Sequence, residues 1–74
     1  MTIHVRYELD GRILLEREEP ASILEGLHEC VWNGDPLELE MKRYQVTGLR
    51  INPEYTRIEC RLKFLEHIIY DVDC

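Results

Sequence analysis

The chain has 74 residues and a mass of 8.9 kDa, so it forms at most one small domain with a modest core. Hydrophobic residues at 45% and charged residues at 32% suit a folded soluble chain rather than a disordered one, and no apolar run reaches the roughly 18–20 residues of a membrane span. The net charge is −6, which opposes long-range attraction to nucleic acid or anionic membranes.

Thr2 to Leu9 alternates, with Ile3, Val5 and Tyr7 on one side and His4, Arg6 and Glu8 on the other, which predicts a half-buried strand. Asp10-Gly11 is a strong hairpin signal. A two-residue loop pairs Tyr7 with Leu14 and Val5 with Glu16, mixing the faces. A three-residue loop, Leu9-Asp10-Gly11, pairs Tyr7 with Ile13 and Val5 with Leu15. It also sets Glu8 opposite Arg12 and His4 opposite Glu16, and it is the expected register.

Glu19-Pro20-Ala21-Ser22 predicts a helix start, with Pro20 at the first helical position. Ile23, Leu24, Leu27 and Val31 make one apolar stripe, and Asn33-Gly34 followed by Asp35-Pro36 ends the helix. Gly26 inside it marks close packing on the sheet or has no role. Trp32 at the helix end is expected to lid the core; exposed, it would be an interface anchor.

Leu37 to Met41 alternates again. Residues 43–51 and 56–64 read as a second hairpin around Pro53-Glu54, pairing Ile51 with Thr56, Leu49 with Ile58 and Thr47 with Cys60. Leu62 and Phe64 continue that face. The opposite face carries Arg50, Arg57, Arg61 and Lys63 beside Tyr44 and Val46, with Arg50 facing Arg57. Ile68 to Val72 is rich in strand formers and favours a fifth strand, although Leu62, Leu65, Ile69 and Val72 also fit a helix. The expected architecture is α+β, with an N-terminal hairpin, one helix and a C-terminal hairpin in a single sheet that the helix covers on one face.

The order strand, turn, strand, helix resembles the β-grasp fold of ubiquitin-like proteins. Met1-Thr2-Ile3-His4-Val5-Arg6 is similar to the opening strand of ubiquitin, Leu9-Asp10-Gly11-Arg12 to its first turn, and Glu19-Pro20 with Ser22-Ile23 to its helix entry. The resemblance covers residues 1–36. The chain closes on Asp71-Val72-Asp73-Cys74 without a Gly-Gly tail, so what the resemblance implies is a non-covalent interaction module rather than a conjugated modifier or sulfur carrier.

The three cysteines fit no disulfide framework and read as reduced thiols, and Met1 to Arg6 holds no apolar signal core. His4, His28, His67, Cys30, Cys60 and Cys74 are possible soft ligands, but no CxxC or HxxxH pair relates them and no metal site is expected. Cys30 as a nucleophile would need a base and a pocket that so short a chain hardly provides, and no phosphate loop is present. Neither a cofactor nor catalysis is expected.

Charge is uneven: residues 1–40 sum to −7, residues 41–64 to +4 and residues 65–74 to −3. The reading that follows is a non-catalytic protein-binding or inhibitory module of bacterial or phage cytoplasm. The alternative is an anion or nucleic-acid binder using Arg50, Arg57, Arg61 and Lys63, with Tyr44 and Trp32 as accompanying aromatic residues. An open strand edge or an exposed part of the helix stripe predicts a homodimer at micromolar concentration.

Overall fold

In the computed structural model, which describes residues 1–69, the alternation of Ile3, Val5 and Tyr7 becomes the central row of the core. The elements are β1 (Thr2–Leu9), β2 (Arg12–Pro20), α1 (Ile23–Asn33), β3 (Pro36–Leu39), β4 (Lys42–Ile51) and β5 (Arg57–His67). They form an α+β fold with one five-stranded sheet in the order β2-β1-β5-β4-β3. All neighbours are antiparallel except β1 and β5, which run parallel in the register Val5↔Ile58 and Tyr7↔Cys60. The strand–turn–strand–helix order that carries the resemblance to ubiquitin-like proteins is present over residues 2–33.

One sheet face is apolar. Its rows include Leu37–Tyr44–Phe64, Leu49–Cys60–Tyr7–Leu15 and Ile51–Ile58–Val5–Arg17, read across the strands. The helix lies against β4 and β3 on this side, and Leu27 is its fully buried residue. At an area value of ~25 cal/mol per Å2, burying a side chain the size of Leu27 stabilises the fold by about 2 kcal/mol. α1 ends as expected: Gly34 is left-handed at φ 72°, and its N–H donates to the Cys30 carbonyl at 3.0 Å.

Three sequence expectations about the fold are corrected, both hairpin registers and the place of Pro20. The first hairpin turns through two residues, Asp10 and Gly11, with Leu9 opposite Arg12. An extra residue, Leu14, then bulges from β2, so Tyr7 faces Leu15 and Val5 faces Arg17 instead of Ile13 and Leu15. The bulge restores an apolar partner for Tyr7 but leaves Val5 opposite Arg17 and Ile3 opposite Glu19, and it leaves Ile13 exposed on the other side. Pro20 does not open the helix; it ends β2 opposite Thr2, on an edge strand where its missing N–H removes no ladder bond. Gly26 has no close neighbour on its open side, so it marks no tight approach to the sheet.

The second hairpin is shifted by two residues, pairing Ile51 with Ile58 and Leu49 with Cys60. The cause is Asn52. Its side-chain oxygen accepts from the Thr56 and Arg57 amides at 2.9 and 2.8 Å, and its amide donates to Thr56 Oγ1 at 2.8 Å. Those amides are thereby occupied within the loop, and β5 begins only at Arg57. Two further bulges, at Thr47 and Leu65, switch faces within the hairpin. The expected strand over Ile68–Val72 falls mostly outside the described residues; Ile68 and Ile69 follow the end of β5.

The β3–β4 turn is less well matched to its residues. Glu40 and Met41 both adopt left-handed conformations, φ 52° and 63°, between the paired Leu39 and Lys42. A two-residue turn of this kind prefers Asn-Gly. Replacing Met41 by Gly should therefore stabilise the protein by about 1 kcal/mol, measured as a higher urea midpoint with unchanged slope. An unchanged or lower midpoint would contradict the assigned turn.

Candidate binding surfaces

The sheet face away from the helix is a lattice of charges. Successive rows read Glu38–Arg43–Glu66, then Arg61–Glu8, then Arg50–Glu59–Arg6–Glu16, then Arg57–His4–Glu18. Signs alternate along most of these rows, as cross-strand pairing favours. Arg43 holds Glu66 at 2.8 Å, and Arg6 Nε holds Glu16 at 3.0 Å. The His4 ring bridges Glu16 and Glu18, each at 3.1 Å. The sequence expectation of His4 opposite Glu16 is thus half met: Glu18 is the backbone partner, and the ring reaches both.

This arrangement redraws the expected basic face. Arg50 lies opposite Glu59, not opposite Arg57, because the two-residue shift of the hairpin replaces that like-charge pair with an attractive one. Tyr44 is not on this face. The Thr47 bulge turns Tyr44 and Val46 to the core side, where Tyr44 is 1% exposed and packs edge-on to Phe64. Arg50, Arg57, Arg61 and Lys63 do share the outer face, and none makes an ion pair within hydrogen-bonding range among the described residues. The guanidinium of Arg61 lies across Gly48, where a Cβ would sit 2.9 Å from Nη2, so the bulge glycine is the slot that lets this side chain lie flat. Arg50 and Arg57 border a groove of about 270 Å3, but Glu59 also lines it.

Summed over the face, Arg6, Arg43, Arg50, Arg57, Arg61 and Lys63 meet Glu8, Glu16, Glu18, Glu38, Glu59 and Glu66, and the charges cancel. The net −6 is therefore carried elsewhere, by the helix, the turns and the C-terminal residues. From Glu18 to Met41 there are seven carboxylates and no Lys or Arg.

Trp32 is not a core lid: it is 82% exposed at the C-terminal end of α1. The core is closed without it, since Leu27 and the sheet residues already fill the space beneath the helix. Its ring centroid lies 6.0 Å from that of His28, and Val31 beside it is also exposed. Helical spacing puts Glu25, His28, Glu29 and Trp32 on one outward stripe. Sequence reading followed the inward stripe of the helix and left this outward one unremarked, although its i, i+3, i+4, i+7 spacing was visible.

Neither sheet edge invites pairing along its full length. β3 is short and begins with Pro36, and β2 carries Arg12, Glu16, Arg17, Glu18 and Pro20. Past Leu62, however, β5 continues without β1 beside it, leaving one side of residues 63–67 open among the described residues.

Cys60 is buried, and burial pushes its thiol up to about 12; Cys30 is half-buried, and burial raises it as well. Tyr7 is buried under the Arg17 guanidinium, 5.7 Å from its ring centroid, and desolvation pushes its phenol up to about 12. Among the described residues no group of three or more His, Cys, Asp or Glu could hold a metal ion, and no helix is long and apolar enough to cross a membrane. No protein-family model, curated protein or solved structure matches the chain.

The His4 cluster has a definite pH signature. Hydrogen bonds donated by the His4 ring to Glu16 and then Glu18 raise the histidine above its ordinary 6.5, while His4 and Arg6 hold Glu16 below its ordinary 4.5. A raised histidine adds stability below pH 6.5 and loses it as pH rises through the raised value. A lowered glutamate adds stability above pH 4.5 and loses it as pH falls through the lowered value. The cluster is at full strength between those limits. In an NMR titration the His4 midpoint should lie above 6.5 and fall towards it in the Glu16→Gln/Glu18→Gln variant. Equal midpoints in the two proteins would break the assignment.

Proposed function

We propose that the protein is a non-catalytic protein-binding module of bacterial or phage cytoplasm that docks its partner through the outward side of α1. The observation that carries this reading is Trp32, 82% exposed on a rigid helix whose other side is committed to the core. Exposed tryptophans anchored on regular elements are the residues that most often dominate interface energetics. The second reading, an anion or nucleic-acid site at Arg50, Arg57, Arg61 and Lys63, draws on the absence of ion pairs at those four side chains among the described residues. Glu59 and Glu8 interleave with them and weigh against a polyanion.

The two readings separate in a capture experiment on cell lysate, run with and without nuclease, comparing the parent protein with Trp32→Ala and Arg57→Gln/Arg61→Gln. Trp32→Ala should fold normally and bind the captured protein at least about 30-fold more weakly, as loss of an interface anchor does. Full retention by Trp32→Ala, with loss in the arginine variant or after nuclease, would transfer the function to the sheet face.

Self-association through residues 63–67 remains part of the proposal, because that strand segment has an open side and carries Phe64 and Leu65, both exposed. Sedimentation equilibrium should show dimers at micromolar concentration that Leu65→Lys abolishes. Only 8.9 kDa species up to several hundred micromolar would remove the dimer.

A further inference from the structure

We propose that the partner presents a basic segment, rich in arginine and lysine, which lies along α1 with one cation over the Trp32 indole and others against Glu25 and Glu29. This rests on the reading of α1 as the docking surface and names the chemistry that surface selects.

Three observations carry it. The stripe Glu25, His28, Glu29 and Trp32 spans about 10 Å at the helical rise, with two carboxylates leading up to an open aromatic face. An indole attracts a cation through its ring quadrupole, and arginine is the cation most often found there. No Lys or Arg occurs between Arg17 and Lys42, so within that stretch the indole's aromatic neighbour is the His28 ring at 6.0 Å and no lysine or arginine neutralises the carboxylates.

The distribution of charge over the whole molecule points the same way. The sheet's outer face is balanced by its own alternating rows, whereas Glu25 and Glu29 on the helix have no lysine or arginine on their stripe. A second copy of this chain is a poor occupant, because two such helices face to face set Glu25 and Glu29 against their equivalents. A nucleic acid is repelled by the same carboxylates. A divalent cation alone would find no cluster of three ligands among the described residues. A basic protein segment satisfies both the carboxylates and the indole.

Trp32 is the only tryptophan, so selectively excited tryptophan emission reports on this site alone. The probes are a ten-residue peptide of alternating arginine and serine and its counterpart with glutamate for arginine. The arginine peptide should shift or quench the emission, and raising the salt should weaken it. Glu25→Gln/Glu29→Gln should weaken that binding by about tenfold, while Glu18→Gln/Glu54→Gln, which removes equal charge from elsewhere, should change it less than twofold. Calorimetry with Trp32→Ala should show the same loss as the stripe variant or a greater one. Equal binding of the glutamate peptide, no binding of either peptide, or equal weakening by both double variants would overturn the proposal.

The lysate capture separates this from the broader reading. Capture lost in Trp32→Ala but intact in Glu25→Gln/Glu29→Gln would keep the docking surface and overturn its basic partner. Capture intact in Trp32→Ala would overturn both.

Discussion

β1 and β5 run side by side and parallel, and each belongs to a different hairpin. Their pairing, Val5 with Ile58 and Tyr7 with Cys60, is what makes one sheet of the two halves of the chain. Because side chains alternate along a strand, that single register fixes both faces at once. It aligns Val5, Tyr7 and Leu9 with Ile58, Cys60 and Leu62 on the core face, and it interleaves Arg6 and Glu8 with Glu59 and Arg61 on the other side. In a domain this small, with a core of few residues, the central pair of strands decides where every charge goes.

The consequence is a division of labour between surfaces. Segment sums along the chain suggest an acidic front half and a basic hairpin, but the fold lays the hairpin's cations beside the carboxylates of β1 and β2 and cancels them. What survives is the negative charge of the helix, the turns and the C-terminal residues, together with the aromatic residue that the core does not use. The proposed docking surface on α1 follows by subtraction: positive and negative residues are equal in number on the outer sheet face, and they are not on the outward stripe of the helix.

Much of this was legible. The alternation of β1, the apolar stripe from Ile23 to Leu27 and the Gly34 cap each have a local cause and appear as expected. The registers of both hairpins were not legible, and the reasons are specific. A bulge inserts one residue without a composition signal, and Leu14, Thr47 and Leu65 look like any strand residue. Asn52 lengthens the second loop through side-chain bonds to amides four and five residues on, a non-adjacent effect that a turn assignment around Pro53 does not contain. The basic face was thus located on the right strands but given the wrong neighbours, and Tyr44 was placed on the wrong side. Trp32 is expected to lid the core from its place at the helix end, while its exposure depends on what else fills the space beneath the helix.

The account stands or falls on whether the outer face neutralises itself, and Glu59 is the residue that tests this most directly. It sits on β5 between Arg6 of β1 and Arg50 of β4. Glu59→Lys puts three cations in a row, and urea unfolding at low ionic strength should show a loss of about 1 kcal/mol that shrinks as salt is raised to about 1 M. Unchanged or increased stability at low salt would contradict the account, since it would mean that Glu59 does not offset the charge of the arginines on either side of it.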